Sequence, residues 1–488
     1  MYLTIDQGTS STRAILFTDT FQPIAKAQQE FTQWYPQTGW VEHDAEEIFQ
    51  SVVSVVRSCV QEAGVNPESI VSLGISNQRE TVVVWDRKTG APIHRAIVWQ
   101  DRRTANHCLS LQDHGADITS RTGLCLDPYF SATKLQWILD SVPDARHRAA
   151  AGELAAGTID SYLLWRLTEG ATHATDVTNA SRTLLYNIHQ HMWDSSLCEL
   201  FCIPESILPS VRNSADDFGR THPNTIGFSV PIHGVAGDQQ AALIGQGCFL
   251  PGSVKCTFGT GLFLVANTGH VPLASGHRLL TTAAYAIDNV TTYALEGSCF
   301  VAGAALQWLR DGIQILPHVP DAEIAARVTG YETSVTMVPA FCGLGAPYWE
   351  PHAQGALFGL TRDTSRNDII TAALMSCVYQ AKDLVETLRK DGLRSITQLQ
   401  VDGGMVQNTW FCQALADLLD LTVVRNPDTE ATARGAAYLA AVGVGTLAWG
   451  TPPVGDANVH QTFTPSIPED LRTRLYERWL QAIDRIRG

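Results

Sequence analysis

No Gly-x-x-x-x-Gly-Lys-Ser/Thr stretch occurs in this sequence. That excludes the Walker-type loop by which many nucleotide hydrolases cradle phosphate. Cysteine forms no useful pattern: the eleven thiols are odd in number and scattered, with no Cys-x-x-Cys pair and no zinc-like His/Cys spacing. Isolated buried thiols in a reducing compartment fit this usage, with Cys198 and Cys202, four apart, able to share a helix face. Positive charge is in deficit: 34 Lys+Arg against 49 Asp+Glu give a formal net charge of −15. Such a chain is not built for nonspecific nucleic-acid binding, although Gly-rich turns can still hold a nucleotide's phosphates locally. Long apolar runs are missing too. Residues 435–450 lack charge, but they fall short of the ~18 apolar residues of a membrane span and read as a packed Ala/Gly-rich helix with its exit loop. The opening Met1 to Ile5 reads as a strand, not as a signal segment. The expectation is a soluble, cytoplasmic protein without membrane insertion.

What is present is a globular mixture, 45% hydrophobic and 17% charged over 488 residues. At roughly 150 residues per domain this length suggests two or three domains. Strand-like and helix-like patterns alternate, which favours an α/β class. Asp44 can cap a helix over residues 45–63, with Glu47 completing a capping-box pattern and Gly64 stopping the run. Ser365 and Asp368 resemble a second capping box before a helix reaching about Asp391. Residues 407–420 and 431–442 read as two further helices. Pro251-Gly252 marks the best boundary, dividing the chain into domains 1–247 and 248–488. A faint echo links the halves, because Gly8-Thr9 and Gly259-Thr260 each follow a short strand.

The chemistry-bearing pieces lie at such strand ends. Asn77-Gln78-Arg79-Glu80-Thr81 sits between strand-like runs 70–76 and 82–86. Adjacent Arg79 and Glu80 offer donors and acceptors suited to a polyhydroxylated ligand. A structural ion pair beside a sheet is the plainer alternative. Gly8 with Thr9, Ser10, Ser11 and Arg13 forms one phosphate-contacting turn, Gly259-Thr260-Gly261 a second, and Gly403-Gly404 a third. The third precedes a helix that would carry Asn408 one turn in. Each alone also reads as an ordinary turn. Asp6 at a strand end suits a magnesium ion, directly or through water. Asp238 opens a helix, where it serves either as an N-cap or as a base for a substrate hydroxyl. Trp99 and Tyr129 offer apolar walls for the C–H edge of a polyol, or plain core.

Taken together the segments DQGTSSTR (6–13), GWVEHD (39–44), SNQRET (76–81), WQDRR (99–103), DPYFSATK (127–134), TDVTNASRT (175–183), GDQQAAL (237–243), FGTGLF (258–263), GLGAPYW (343–349) and VDGG (401–404) resemble those of the FGGY carbohydrate kinases over nearly the whole chain. The resemblance implies an α/β fold of two actin-like (ribonuclease H-like) domains around an ATP/substrate cleft. It implies ATP and Mg2+ as cofactors and glycerol as acceptor, since sugar kinases of the superfamily generally differ at the Arg-Glu pair. It places glycerol against Arg79, Glu80, Trp99, Tyr129, Asp238, Gln239 and Phe263, with Asp238 as the catalytic base. It places ATP against Thr9, Ser10, Ser11, Arg13, Thr260, Gly303, Gln307, Gly404 and Asn408, with Asp6 toward the metal. Gly303 and Gln307 lie in a stretch, residues 295–308, whose pattern alone reads as a plain helix. A homo-oligomer, dimer or tetramer, is expected. Another polyol or ketose as acceptor, or an actin-like ATP-binding regulator, are the competing readings, and no function is carried onto the segment from Thr451.

Some family members bind fructose 1,6-bisphosphate through a Gly-rich, Arg-containing loop just before GDQQ. Here residues 221–254 contain no Lys or Arg, and a bisphosphate needs cations or a nest of N–H groups. The bisphosphate is therefore expected to leave glycerol phosphorylation unchanged at physiological concentration. Saturable inhibition that disappears in Arg220→Ala, the one flanking cation, would contradict this reading of the loop.

Overall fold

The structure is a computed structural model describing residues 1–426, 430–451, 453 and 460–487. Two sheets organise it, and they share one wiring. In the first, β1 (Tyr2–Gln7), β2 (Ser11–Phe17) and β3 (Pro23–Glu30) form an antiparallel meander, and β4 (Ser72–Asn77) and β5 (Ile232–Gly237) continue beside β1 in parallel. Numbered by place in this wiring, the order is 3-2-1-4-5. In the second sheet β6 (Val254–Phe258) pairs antiparallel with β7 (Leu262–Gly269), which pairs with the long strand Val290–Cys299. Strand Gln398–Asp402 lies parallel to β6 on the other side, followed by Thr422–Arg425. That is the same 3-2-1-4-5 order, extended by Leu280–Ile287 at one edge and Gln461–Phe463 at the other. This duplicated, partly parallel arrangement is the actin-like, ribonuclease H-like fold. The faint Gly-Thr echo marks equivalent places: both turns close the first hairpin of their sheet, with Gly8 N–H donating to Ser11 O at 3.0 Å and Gly259 N–H to Gly261 O at 2.9 Å.

The helices follow their local signals. Helix α1 (Ala45–Ala63) starts at Asp44, whose carboxylate accepts from the Glu46 and Glu47 N–H groups, and stops at Gly64 with φ 63°. The αL conformation there favours glycine. Glu47 does not close a capping box. Its carboxylate turns outward to accept from the N–H and hydroxyl of Thr32, both at 2.9 Å, tying the helix to the sheet edge. Ser365 and Asp368 do form a reciprocal box ahead of Arg366–Lys390. Cys198 is buried in helix Ser195–Leu200, whereas Cys202 lies beyond its end with φ 52° and is exposed. The two thiols therefore share no helix face.

The uncharged Ala/Gly stretch has a packing explanation. Helix α2 (Asp238–Gly245) leaves the first sheet and crosses helix α3 (Ala431–Gly443), with the two backbones nearly touching. A Cβ on Gly245 would lie 1.8 Å from Ala431 O, and one on Gly435 would lie 1.8 Å from Ala241 O. Helix α3 belongs to the later half of the chain yet lies on the first sheet, where a Cβ on Gly74 would meet Ala436 O at 2.1 Å. Only small residues allow this approach. Around the crossing, Ala236, Leu243 and Ile244 share one buried cluster with Val265, Tyr285, Ala437 and Leu439, which joins the halves into one core. No described helix is long and apolar enough to cross a membrane.

The last helix, Glu469–Arg487, docks through fully buried Trp479. Trp479 Nε1 and Tyr476 OH donate to the two oxygens of Asp383 at 2.8 and 2.6 Å. Burial pushes that carboxyl up to about 7, against the pull of both donors. The segment from Thr451 onward thus contributes an edge strand and a helical cover to the second sheet.

Candidate active site

The site begins with a strained turn. Adjacent residues of a strand point to opposite faces, so Arg79 and Glu80 can share one cavity only if the chain turns between them. It does: Thr81 N–H donates to Arg79 O at 2.7 Å, and Glu80 takes φ 60°. A non-glycine residue held this way costs roughly 1–3 kcal/mol and persists only where its surroundings over-determine it. Here Ser131 Oγ and Lys134 Nζ both donate to Glu80 O, at 3.1 and 3.3 Å, and Lys134 also donates to Tyr129 O at 2.8 Å. Burial lowers the Lys134 ammonium to about 8.

The Arg79 guanidinium is almost fully buried and is bonded from several elements. Its Nη1 donates to Glu296 Oε2 at 2.6 Å and its Nη2 to Glu296 Oε1 at 2.8 Å, a bidentate pair reaching the second sheet. Nη1 also meets Gln240 Oε1 at 3.2 Å, and Nη2 meets Tyr129 OH at 3.4 Å. Nε faces Asp238 Oδ1 at 3.5 Å and Glu80 Oε1 at 3.9 Å. Arg182, also buried, bridges Glu80 Oε1 at 2.7 Å and Glu296 Oε1 at 3.1 Å. Burial opposes ionisation of Glu296, but Arg182 and Arg79 outweigh it and hold the carboxyl at about 2. The ion-pair alternative is thus partly right: Arg79 and Glu80 are paired, though chiefly with Glu296 and Arg182 rather than with each other.

Asp238 is the first residue of α2, and Gly237 stands at the N-cap position. Its side chain therefore does not cap the helix across a turn. Oδ1 accepts only from the neighbouring Gln239 N–H at 2.7 Å, and the side chain is 30% exposed toward the cleft. Burial pushes the carboxyl up to about 6, partly offset by Arg79, with Glu80 adding to the rise. Gln239 Oε1 accepts from Lys255 Nζ at 2.5 Å, and Lys255 also reaches Thr257 Oγ1 at 2.8 Å. Burial lowers the Lys255 ammonium, against the pull of Asp402 and Asp238.

Aromatic edges wall the space beside Arg79. Trp99 packs edge-on against Tyr129 at 5.8 Å and Phe263 at 6.0 Å. Trp99 Nε1 donates to Thr9 Oγ1 at 2.9 Å, so one indole touches both the polyol-type wall and the first Gly turn. Outside Trp99 and Tyr129 a cavity of about 320 Å3, lined also by Arg102 and Phe300, opens to solvent.

The second and third Gly turns lie side by side at Phe258 and Gly259, and the first reaches the aromatic wall through Thr9 and Trp99. Gly303 N–H donates to Gly259 O at 3.0 Å, so the start of helix Gly303–Asp311 rests on the second turn and carries Gln307 one turn further. A Cβ on Gly303 would lie 2.6 Å from Gly259 O. Residues 295–308 are therefore no single helix, because strand Val290–Cys299 runs through Glu296 and ends before Gly303. In the third turn Gly403 has φ 94° with Phe258 packed beneath it, while a Cβ on Gly404 would meet open space. Asn408 is the cap of helix Thr409–Leu419, accepting from Phe411 N–H at 2.9 Å, and not a residue one turn into it. A short 3-10 turn, Gly404–Gln407, intervenes. In the first turn Ser10 is exposed and Ser11 Oγ accepts from Gln28 at 3.0 Å. Arg13 pairs with Asp6 at 2.6 Å and with Glu430 at 3.2 Å, and Ser76 Oγ donates to Asp6 Oδ1 at 2.8 Å. Away from the cleft, Arg220 lies along its own loop, donating to Ser229 Oγ at 3.2 Å.

The structure brings Arg79, Glu80, Tyr129 and Asp238 into one cluster, sets Trp99 against Tyr129, Phe263 and Thr9, and rests Gly303 on the second turn. Three that belong with them escaped: Glu296, Arg182 and Lys255. Glu296 was hidden in a stretch that looks helical, and Lys255 is the one cation within the apolar strand Val254–Phe258. Arg182 stood inside the TDVTNASRT segment without a role.

A duplicated actin-like fold with Gly turns facing a buried Arg/Glu/Asp constellation defines a class, the two-domain kinases of small hydroxylated compounds. Comparison with known proteins sharpens this. The N-terminal domain of the FGGY family of carbohydrate kinases matches residues 1–245, and its C-terminal domain matches residues 254–444. The chain belongs to this FGGY family of carbohydrate kinases. It is 54% identical to the glycerol kinase of Ectopseudomonas mendocina over 488 residues, covering all of this chain and 99% of that protein. It is 52% identical to glycerol kinase 1 of Pseudomonas aeruginosa, with the same coverage. Among solved structures, the glycerol kinase of Plasmodium falciparum with ADP superposes with a TM-score of 0.90 at 32% identity, covering 100% of this chain and 98% of that one. A gluconate kinase from Lactobacillus acidophilus shares the fold, with a TM-score of 0.88 at 18% identity.

The raised Asp238 carboxyl has a sign that can be checked. With a folded value of about 6 above the ordinary unfolded value near 3.9, the native state binds the extra proton between these limits. Its contribution to stability falls as pH rises from ~4 to ~6 and is fully adverse above that. Asp238→Asn, which cannot ionise, should therefore unfold at a higher temperature than the parent at pH 8 without nucleotide. The gap should close toward pH 4; an equal or lower melting temperature at pH 8 would contradict this.

Proposed function

We propose that this chain is an ATP-dependent glycerol kinase, moving the γ-phosphoryl group of ATP to a terminal hydroxyl and yielding sn-glycerol 3-phosphate. The observation that carries the reading is the clustering of Arg79, Glu80 and Asp238 beside aromatic walls, in a chain that matches glycerol kinases from end to end. Phosphoryl transfer asks mainly for alignment and charge neutralisation. Arg79 Nε and the Glu80 carboxylate would orient two hydroxyls of the triol, Tyr129 and Gln239 would fix its place, and Trp99 and Phe263 would cover its carbon edge. Asp238 would accept the proton of the attacking hydroxyl as the O–P bond forms, and ADP would leave with the β–γ bridging oxygen. Its upward shift suits a base working near neutral pH. Thr9, Ser10, Ser11 and Arg13 would meet phosphates from one side. Thr260, Gly303, Gln307, Gly404 and Asn408 would meet the nucleotide from the other.

Mg2+ binds typically through one or two carboxylates plus substrate phosphates and water. Asp6 and Asp238 lie within electrostatic reach of each other, which fits such an ion, with Asp6 as its direct or water-mediated ligand. The ion would neutralise phosphate charge when bound. A division at residues 247/248 would give the first domain most glycerol contacts and the first phosphate loop, and the second domain the adenosine and further phosphate contacts. Eleven free cysteines suit a reducing cytoplasm, where ATP is also at hand.

A coupled assay with ATP, Mg2+ and glycerol tests the reading. Glycerol-dependent release of ADP, matched mole for mole by glycerol 3-phosphate, is expected. Asp238→Asn should lower kcat by ~10²–10⁴-fold, the usual range for a lost general base, with its far-ultraviolet circular dichroism unchanged. ATP hydrolysis indifferent to glycerol, or near-parental turnover in the variant, would overturn the assignment.

A further inference from the structure

Glu296 does more than anchor a neighbour. We infer that it is a specificity-determining residue, which occupies the carboxylate-reading edge of Arg79 and thereby restricts the acceptor site to uncharged hydroxyl compounds. A guanidinium recognises carboxylate or phosphate best through two parallel N–H donors. In Arg79 the Nη1/Nη2 edge is already filled by both oxygens of Glu296, at 2.6 and 2.8 Å. Gln240 and Tyr129 take further Nη protons. What faces the cleft is the Nε side, and it is flanked by Asp238 Oδ1 at 3.5 Å and Glu80 Oε1 at 3.9 Å.

A hydroxyl fits such a place, because it can accept from Nε and donate to either carboxylate. An anionic oxygen could accept from Nε but could not donate, so it would face two carboxylates of like charge in a buried site, which is costly. Arg182 does not relieve this. Its Nε and Nη2 are turned to Glu80 and Glu296, and its Nη1, without a hydrogen-bond partner among the described residues, is sealed from the cleft in a fully buried side chain. Arg182 and Arg79 hold the Glu296 carboxyl low despite burial, so at neutral pH it is a carboxylate that fills this edge. Ser298 Oγ, donating to Glu296 Oε1 at 3.0 Å, fixes the carboxylate in place.

This inference rests on the glycerol kinase reading, and its test separates the two. D-Glycerate is glycerol with one terminal carbinol replaced by carboxylate, so it probes charge at nearly constant size. Steady-state rates would be measured with glycerol varied, D-glycerate as inhibitor, and free Mg2+ and ATP fixed. The parent enzyme should turn over glycerol but show a glycerate inhibition constant at least ~100-fold above the glycerol KM. Glu296→Gln keeps the size of the side chain but removes one negative charge, leaving Arg79 and Arg182 undercompensated beside the acceptor site. It should raise the glycerol KM and lower the glycerate inhibition constant at least tenfold, as a single charged hydrogen bond warrants. Glu296→Asp keeps the charge; it should raise the glycerol KM yet still exclude glycerate. A purely structural role would move KM alike in both variants and leave the glycerate constant alone. Competitive glycerate inhibition of the parent at concentrations near the glycerol KM would overturn the inference even if Glu296→Gln failed to fold. Absence of glycerol turnover in the parent would instead overturn the functional reading.

Discussion

The buried pair of Arg79 and Glu296 is the interaction on which the rest of the site depends. Arg79 leaves the first sheet at the end of β4, and Glu296 rises from the middle of a strand in the second. Their bidentate contact fixes where the two sheets stand relative to each other at the floor of the cleft. Removing one member of such a pair strands the other charge in a dry interior, typically at 3–5 kcal/mol. The neighbours are arranged to prevent that: Arg182 meets both carboxylates, and Gln240 and Tyr129 meet the remaining Nη donors of Arg79. A local cost is accepted in return, since Glu80 keeps a left-handed backbone so that consecutive side chains enter one pocket.

Two helices with small-residue backbones make this contact possible. The near-touching of α2 and α3 at Gly245 and Gly435 brings Asp238, at the head of α2, to the mouth of the cleft. The same helix sends Gln239 to Lys255 and Gln246 to Asp402, so its first and last turns are both tied to the second sheet. Asp238 is thus carried by a rigid element and left only lightly bonded itself. Burial raises the carboxyl there to about 6, which suits the proposed role of proton acceptor. Small residues at the crossing and charged residues at the floor are two parts of one device.

Much of this was legible in the chain. Gly-Thr after a short strand announces a tight turn able to approach phosphate, and both such turns close equivalent hairpins. Asp44 with Gly64, and Ser365 with Asp368, mark helix ends through backbone groups that are local by nature. What was not legible was long-range or lacked a period. Strand Val290–Cys299 is buried on both faces from Thr292 onward, so no alternation distinguishes it from a helix, and Glu296 passed unnoticed there. Its partner lies 217 residues away, and no local rule spans that distance. Asn408 was misplaced because a 3-10 turn intervenes before the helix it caps. Glu47 was drawn from a capping box by Thr32, a neighbour supplied only by the folded sheet.

Arg79, gripped by Glu296, is proposed to read the acceptor and not the nucleotide. Calorimetric titration of glycerol and, separately, of ADP with Mg2+ into the parent and Arg79→Ala tests it most directly. Loss of a charged hydrogen-bonding partner is worth about 1.5–3 kcal/mol, so glycerol affinity should fall roughly 10- to 150-fold while ADP affinity stays within about threefold. Equal losses for both ligands would show that Arg79 only holds the domains together, and would contradict the account.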